Sequence, residues 1–129
     1  MTTTLFVYGT LKRGGSNHHH LAAQTFHGTA RTAPGFTLFS LGAYPGLVAA
    51  PTDAYGVTGE LWSIDDACLS RLDELEGLTE GLYLRAPITL AHPVASTPDA
   101  ASTMISSAET YFYLLDLSGR PHLGTTWPV

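Results

Sequence analysis

The sequence predicts one α+β domain, a small and mostly antiparallel β-barrel covered by a single main helix. Three observations point there. Short β-branched and aromatic runs recur along the chain, about six of them, bounded by Gly, Pro, Asn or Ser. One segment, Asp66 to Glu76, carries apolar residues at helical spacing, at positions 68, 69, 72 and 75. The length of 129 residues, with 44% hydrophobic and 13% charged, suits one domain, residues 1–129. Such a chain buries about two-thirds of the surface its unfolded form exposes.

Taken in order, Thr4–Tyr8 reads as a buried first strand that stops at Gly9. Thr10–His20 is a loop rich in Gly, Ser and Asn, with a helical turn over 18–23. Thr25–Thr32 and Phe36–Leu41 read as the second and third strands, the latter bounded by Gly35 and Gly42. Tyr44-Pro45-Gly46 has turn chemistry, because Pro presets its φ angle and Gly follows. Tyr55–Ile64 is a further strand, and Asp65 is a good N-cap for the helix. Gly77 is a natural residue to end that helix. Tyr83–Leu90 and Thr110–Leu115 complete the strands, and the small, polar stretch 93–108 between them is expected to be a mobile hairpin loop.

Composition excludes several functions. Net charge is −5 and the six basic residues are scattered, so no nucleic-acid partner is expected. No apolar run approaches a membrane span, and the N-terminus lacks the charged region of a signal peptide. A cytoplasmic protein without a membrane partner is the expectation. Cys68, the single cysteine, lies on the apolar stripe and reads as a small buried hydrophobe. His18-His19-His20 invites a metal reading, but adjacent histidines point in different directions and no HExxH or Cys pair supports them. Neither a metal nor a cofactor is expected. Gly9 to Gly14 has the glycine spacing of a phosphate loop, yet Gly15 stands where that motif needs Lys. What remains is a strand entering a loop whose N–H groups can form an anion-binding nest, or an ordinary turn.

Glu76 is the most informative residue. On a helical wheel Leu72 marks the middle of the apolar stripe and Glu76 lies about 40° away. Glu74 points roughly opposite and Asp73 flanks the stripe, so both have plain surface roles. Glu76 is in the last turn, where the helix dipole disfavours an ionised carboxylate. Desolvation acts in the same direction. An acid with a raised pKa can take and return a proton near neutral pH. The alternative is a helix-end glutamate that reaches solvent or pairs with Arg85. Tyr83 begins a strand soon afterwards, so its hydroxyl either orients that carboxylate or sits at the surface.

Together these segments resemble the gamma-glutamylcyclotransferase-like family, including its gamma-glutamylamine cyclotransferase branch. The first signature is Phe6-Val-Tyr8-Gly9-Thr10-Leu11-Lys12-Arg13-Gly14, followed by Asn17-His18 and Leu21. The middle matches in Leu41-Gly-Ala-Tyr-Pro-Gly-Leu47 and Val57-Thr-Gly-Glu-Leu61. The helix signature is Leu72-Asp-Glu-Leu-Glu76-Gly77, then Tyr83-Leu-Arg85. Gly124-Thr-Thr-Trp127 is similar to the family's closing motif. The resemblance implies a small mixed β-barrel with flanking helices and a cofactor-independent enzyme that releases 5-oxoproline from gamma-glutamyl compounds. Glu76 matches the catalytic glutamate. Tyr8, Gly9, Thr10 and Leu11 match the stretch whose backbone holds the glutamyl group. Tyr83 matches a tyrosine of the same cavity, and Tyr113 a substrate-side tyrosine of the late strand. The implied partner is a small gamma-glutamyl substrate. Two rival readings are a non-catalytic module that binds a small carboxylate or amine, and a metal-binding protein built on His18–His20.

Overall fold

Strand β1, Thr2–Val7, runs antiparallel to β5, Thr58–Asp65, in unbroken register from Thr2↔Asp65 to Val7↔Glu60. The computed structural model describes residues 2–95 and 104–128. On the far side of β5 lies β2, Thr25–Arg31. Strands β3, Phe36–Ser40, and β4, Pro45–Ala49, form a hairpin, and the short β8, His122–Gly124, pairs with β3. A long hairpin joins β6, Tyr83–Ala95, to β7, Met104–Tyr113. The strand order is β2-β5-β1-β7-β4-β3-β8, with β6 on the other edge of β7.

The result is a large mixed sheet, mostly antiparallel, with one α-helix among the described residues. The expected barrel is not what the ladders form. Between β2 and β6 there is a single isolated bridge, Thr32↔Leu90, rather than a closing ladder. The two parallel contacts both fall on β7, at Leu5↔Glu109 and Leu47↔Phe112. Because β6 holds the other edge, β1 and β4 share one edge of β7 and diverge from it. The sheet forks there.

Side chains of β1 alternate between two cores, as a period of two requires. Leu5 and Val7 pack with Leu21, Trp62, Ile64 and the helix stripe Cys68, Leu69 and Leu72. Phe6 and Tyr8 pack with Leu38, Leu47, Val57, Leu61 and Ile88. Helix α1, Asp66–Leu75, starts at Asp65, whose side chain accepts from the Cys68 N–H at 2.8 Å. It ends in paired reverse bonds, Leu78 N–H to Asp73 O and Gly77 N–H to Glu74 O. That is a Schellman motif, and it requires a left-handed residue at Gly77, where φ is +68°.

Two expectations are corrected. The chain turns at 41–44, with Leu41 N–H donating to Tyr44 O, and Pro45 already pairs with Ser40 as the first residue of β4. Proline is tolerated at that position because no ladder donor is lost. The proposed loop 93–108 is shorter, since Val94↔Ile105 and Ala95↔Met104 extend the hairpin; residues 96–103 lie outside the described residues. A turn of 3₁₀ helix, His18–Leu21, is the flanking helix.

Gly77→Ala should destabilise the protein by about 1–3 kcal/mol, the usual cost of a left-handed non-glycine residue. Its Cβ would also lie 2.7 Å from Leu82 Cδ1. A urea midpoint equal to wild type would refute this account of the helix end.

Candidate active site

The divergence of β1 and β4 opens a cavity of about 230 Å³, and the helix end closes one side of it. Glu76 sits at that end as the C-cap, with φ −82° and ψ −2°. Its carboxyl faces the cavity and makes no hydrogen bond or ion pair among the described residues. Burial lifts it from an ordinary 4.5 to about 7. Pairing with Arg85 does not occur. Arg85 grips Asp73 through two bonds, Nε to Oδ1 at 2.9 Å and Nη2 to Oδ2 at 3.1 Å, and also binds Glu109. Asp73 is therefore not a plain surface acid. It ties α1 to β6 and, by accepting from the Tyr111 hydroxyl at 2.7 Å, to β7.

The loop after β1 forms the opposite wall. Gly9 is obligatory, because a Cβ there would lie 2.7 Å from the Pro45 ring. The loop carbonyls are engaged: Gly9 O accepts from Lys12 N–H, Thr10 O from Asn17 N–H, and Leu11 O contacts His18 Nδ1. Asn17 Nδ2 also donates to Thr10 Oγ1. The N–H groups of Gly9, Thr10 and Leu11 have no acceptor among the described residues. The far end of the loop is anchored twice. Glu60, 7% exposed, accepts from Arg13 N–H and Nε, and Lys12 Nζ donates to Trp127 O at 2.6 Å. Burial pulls the Lys12 pKa down, and Glu60 opposes that.

Tyrosines make up much of the remaining wall. Tyr8 is a lining residue whose hydroxyl donates to Tyr111 O at 2.6 Å and accepts from Leu47 N–H at 3.3 Å. Tyr83 lines the cavity too, but its hydroxyl donates to Pro45 O at 2.8 Å rather than to Glu76. Burial holds both phenols well above the ordinary tyrosine range. Tyr113 is not among the lining residues. It stands edge-on behind Tyr83, with ring centroids 5.3 Å apart, and covers Gly46. Tyr111, two residues earlier on the same face of β7, lines the cavity instead. The sequence shows that 111 and 113 share a face, but not which one reaches the fork. Asn17 and the rim residue Tyr44 also line it, and only the family signatures point to them.

The remaining candidates are elsewhere. His18 packs against Trp62 with the rings tilted by 59°, and the ring centroids of His19 and His20 lie 4.2 Å apart. Among the described residues no three His, Cys, Asp or Glu side chains gather in a way that could hold a metal ion. Cys68 is fully buried, as expected, with Sγ on His20 O. No described helix is long and apolar enough to cross a membrane.

An acid lifted toward neutrality, with uncommitted N–H donors lining the same small cavity, is an arrangement suited to a small polar ligand. Known proteins give that arrangement a family. The sequence model described as gamma-glutamyl cyclotransferase, AIG2-like, matches residues 5–128, and the chain belongs to that family. A relative from Arabidopsis thaliana is 44% identical over 98 residues, 70% of this chain and 52% of its own, so the chain spans about half of that protein. The gamma-glutamylaminecyclotransferase of Rattus norvegicus is 34% identical over 118 residues, covering 83% of this chain and 78% of the rat protein. The crystal structure of an AIG2-like protein from Mus musculus superposes with a TM-score of 0.70 at 26% identity, covering 98% of this chain and 88% of that one.

Two outcomes follow from this geometry. Tyr8→Phe leaves a buried N–H and C=O without their shared partner and should cost about 1–3 kcal/mol in denaturant unfolding. Glu76→Gln should stabilise the protein, but only at higher pH. Well below 4.5 the acid is neutral in both folded and unfolded chains. As pH rises, the unfolded chain ionises first, so the wild type loses stability until pH passes about 7. The difference between the two proteins should grow to about 3 kcal/mol across that window. A gap that is the same at about pH 4 and about pH 8 would show that Glu76 is not desolvated.

Proposed function

We propose that the chain catalyses ring closure of a gamma-glutamyl amine or related conjugate, releasing 5-oxoproline and the free amine, with Glu76 as the acid–base group. The observation that carries the reading is the state of Glu76: half-buried in the cavity wall, lifted to about 7 by desolvation, and without the cation that Arg85 gives to Asp73. The names of the relatives support the gamma-glutamyl substrate class.

The α-amine of the substrate attacks its own γ-carbonyl, so the protein need only hold a folded conformer of one molecule. The amine enters as an ammonium. Glu76 takes one proton, and the freed amine forms the new C–N bond while the carbonyl oxygen gains negative charge. Glu76 hands that proton to the departing nitrogen, whose bond to the carbonyl carbon breaks as the oxyanion collapses. A second proton follows the same route from the ring nitrogen, so the product leaves as an ammonium and the ring keeps one N–H. One group in both roles works best with a pKa near the working pH. The N–H groups of Gly9, Thr10 and Leu11 are suited to hold the α-carboxylate or the developing oxyanion. Tyr8 and Tyr83 act here by shaping the wall rather than by moving protons.

Purified protein is expected to release 5-oxoproline from members of a panel of gamma-glutamyl amines, gamma-glutamyl amino acids and glutathione. Glu76→Gln should lower that rate by about 10²–10⁴-fold, the usual contribution of a positioned acid–base group. Wild-type rates in the folded variant would remove Glu76 from this role.

A further inference from the structure

Each of three cavity tyrosines has a fixed use for its single hydroxyl proton. Tyr8 gives it to Tyr111 O, Tyr83 to Pro45 O, and Tyr111 to Asp73 Oδ1. A phenol whose proton is committed offers only lone pairs to anything else it touches. Tyr111 is the one of the three whose acceptor is a charged side chain, and charge-assisted bonds orient most strongly. Asp73 is itself fixed, because Arg85 holds both of its oxygens and is held in turn by Glu109. Asp73 and Glu76 lie within one turn at the end of α1, and the Tyr111 phenol feels the charge of both.

We propose that Asp73 is a positioning residue: it draws the Tyr111 proton away from the cavity and so fixes that phenol oxygen as an acceptor for a ligand's ammonium group beside Glu76. The proposal rests on the gamma-glutamyl reading and extends it to how the α-amine is recognised. An ammonium has three donors and needs acceptors only. Glu76 and Tyr111 supply two, while the N–H groups of Gly9, Thr10 and Leu11 face the ligand's anionic end. With its proton turned inward, Tyr111 would meet the ammonium donor to donor. A ligand without the amine gains nothing from the arrangement.

The test is calorimetric titration of L-glutamate and of glutarate, which differ by that one ammonium group, into wild type, Tyr111→Phe and Asp73→Asn. Wild type should prefer glutamate. Each variant should lose about tenfold or more in glutamate affinity, the scale of a hydrogen bond to a charged group, with glutarate binding as before. Tyr111→Phe keeps the test decisive if Asp73→Asn, which loosens Arg85, does not fold. Equal weakening of both ligands, or an unchanged ratio in both variants, overturns the positioning role and leaves the gamma-glutamyl reading standing. Binding of neither ligand to folded wild type removes that reading, and this inference with it.

Discussion

One phenol holds the fork on which the site depends. Strands β1 and β4 both reach the same edge of β7, at residues 109 and 112, and each pairs with it at a single register position. Two strands cannot both follow one edge, so they part, and a backbone N–H at Leu47 and a C=O at Tyr111 face the gap between them. A buried backbone group without a partner costs as much as a lost hydrogen bond. The Tyr8 hydroxyl serves both at once. Nearby, the Gly9 backbone packs against the Pro45 ring and joins the two sides at van der Waals distance. The cavity is the space this divergence leaves, and β1 ends there because its neighbour has turned away.

The allocation of cations is the second constraint. Asp73 and Glu76 lie within one turn at the end of α1, yet they have opposite fates. Asp73 meets Arg85 in two-bond geometry and ties the helix to β6 and β7. Glu76 meets only wall and cavity. A desolvated acid without a cation is destabilising when ionised, and the Schellman closure at Gly77 fixes the backbone one residue later.

The parts of this arrangement that local physics decides are legible in the sequence. The helix, its Asp65 cap, its Gly77 stop and the inward placement of Glu76 follow from periodicity and capping within a dozen residues. The first strand and the Gly9 break are local in the same way. The rest depends on partners distant in the chain. Pro45 reads as a turn residue until Ser40 is known to pair with it. Tyr111 and Tyr113 are indistinguishable until β4 is placed against β7, since both face one side. Strand β8 has three residues and no pattern of its own. The closed barrel implied by strand count requires β2 and β6 to form a ladder, and only the bridge between Thr32 and Leu90 connects them. Asp73 looks like a surface acid because its partner, Arg85, lies beyond the helix on β6.

Topology also gives the cavity its polarity. Where a strand ends and its chain turns, donors lose their ladder partners, and the loop after β1 therefore presents N–H groups. Its carbonyls are occupied by Lys12, Asn17 and His18, so that wall is a donor wall. The opposite side consists of an acid and of phenols whose protons go to fixed acceptors. With Glu76 ionised it is an acceptor wall, because Tyr8, Tyr83 and Tyr111 have no proton to turn inward. A ligand that satisfies both walls needs an anion and a cation a few bonds apart. An α-amino acid head group has that form, and it would enter with its amine already beside Glu76, the one acid lining the cavity among the described residues. On the proposed reading, orientation and chemistry thus share one cause. The fork that exposes the donors also places them across from the helix end that buries the base.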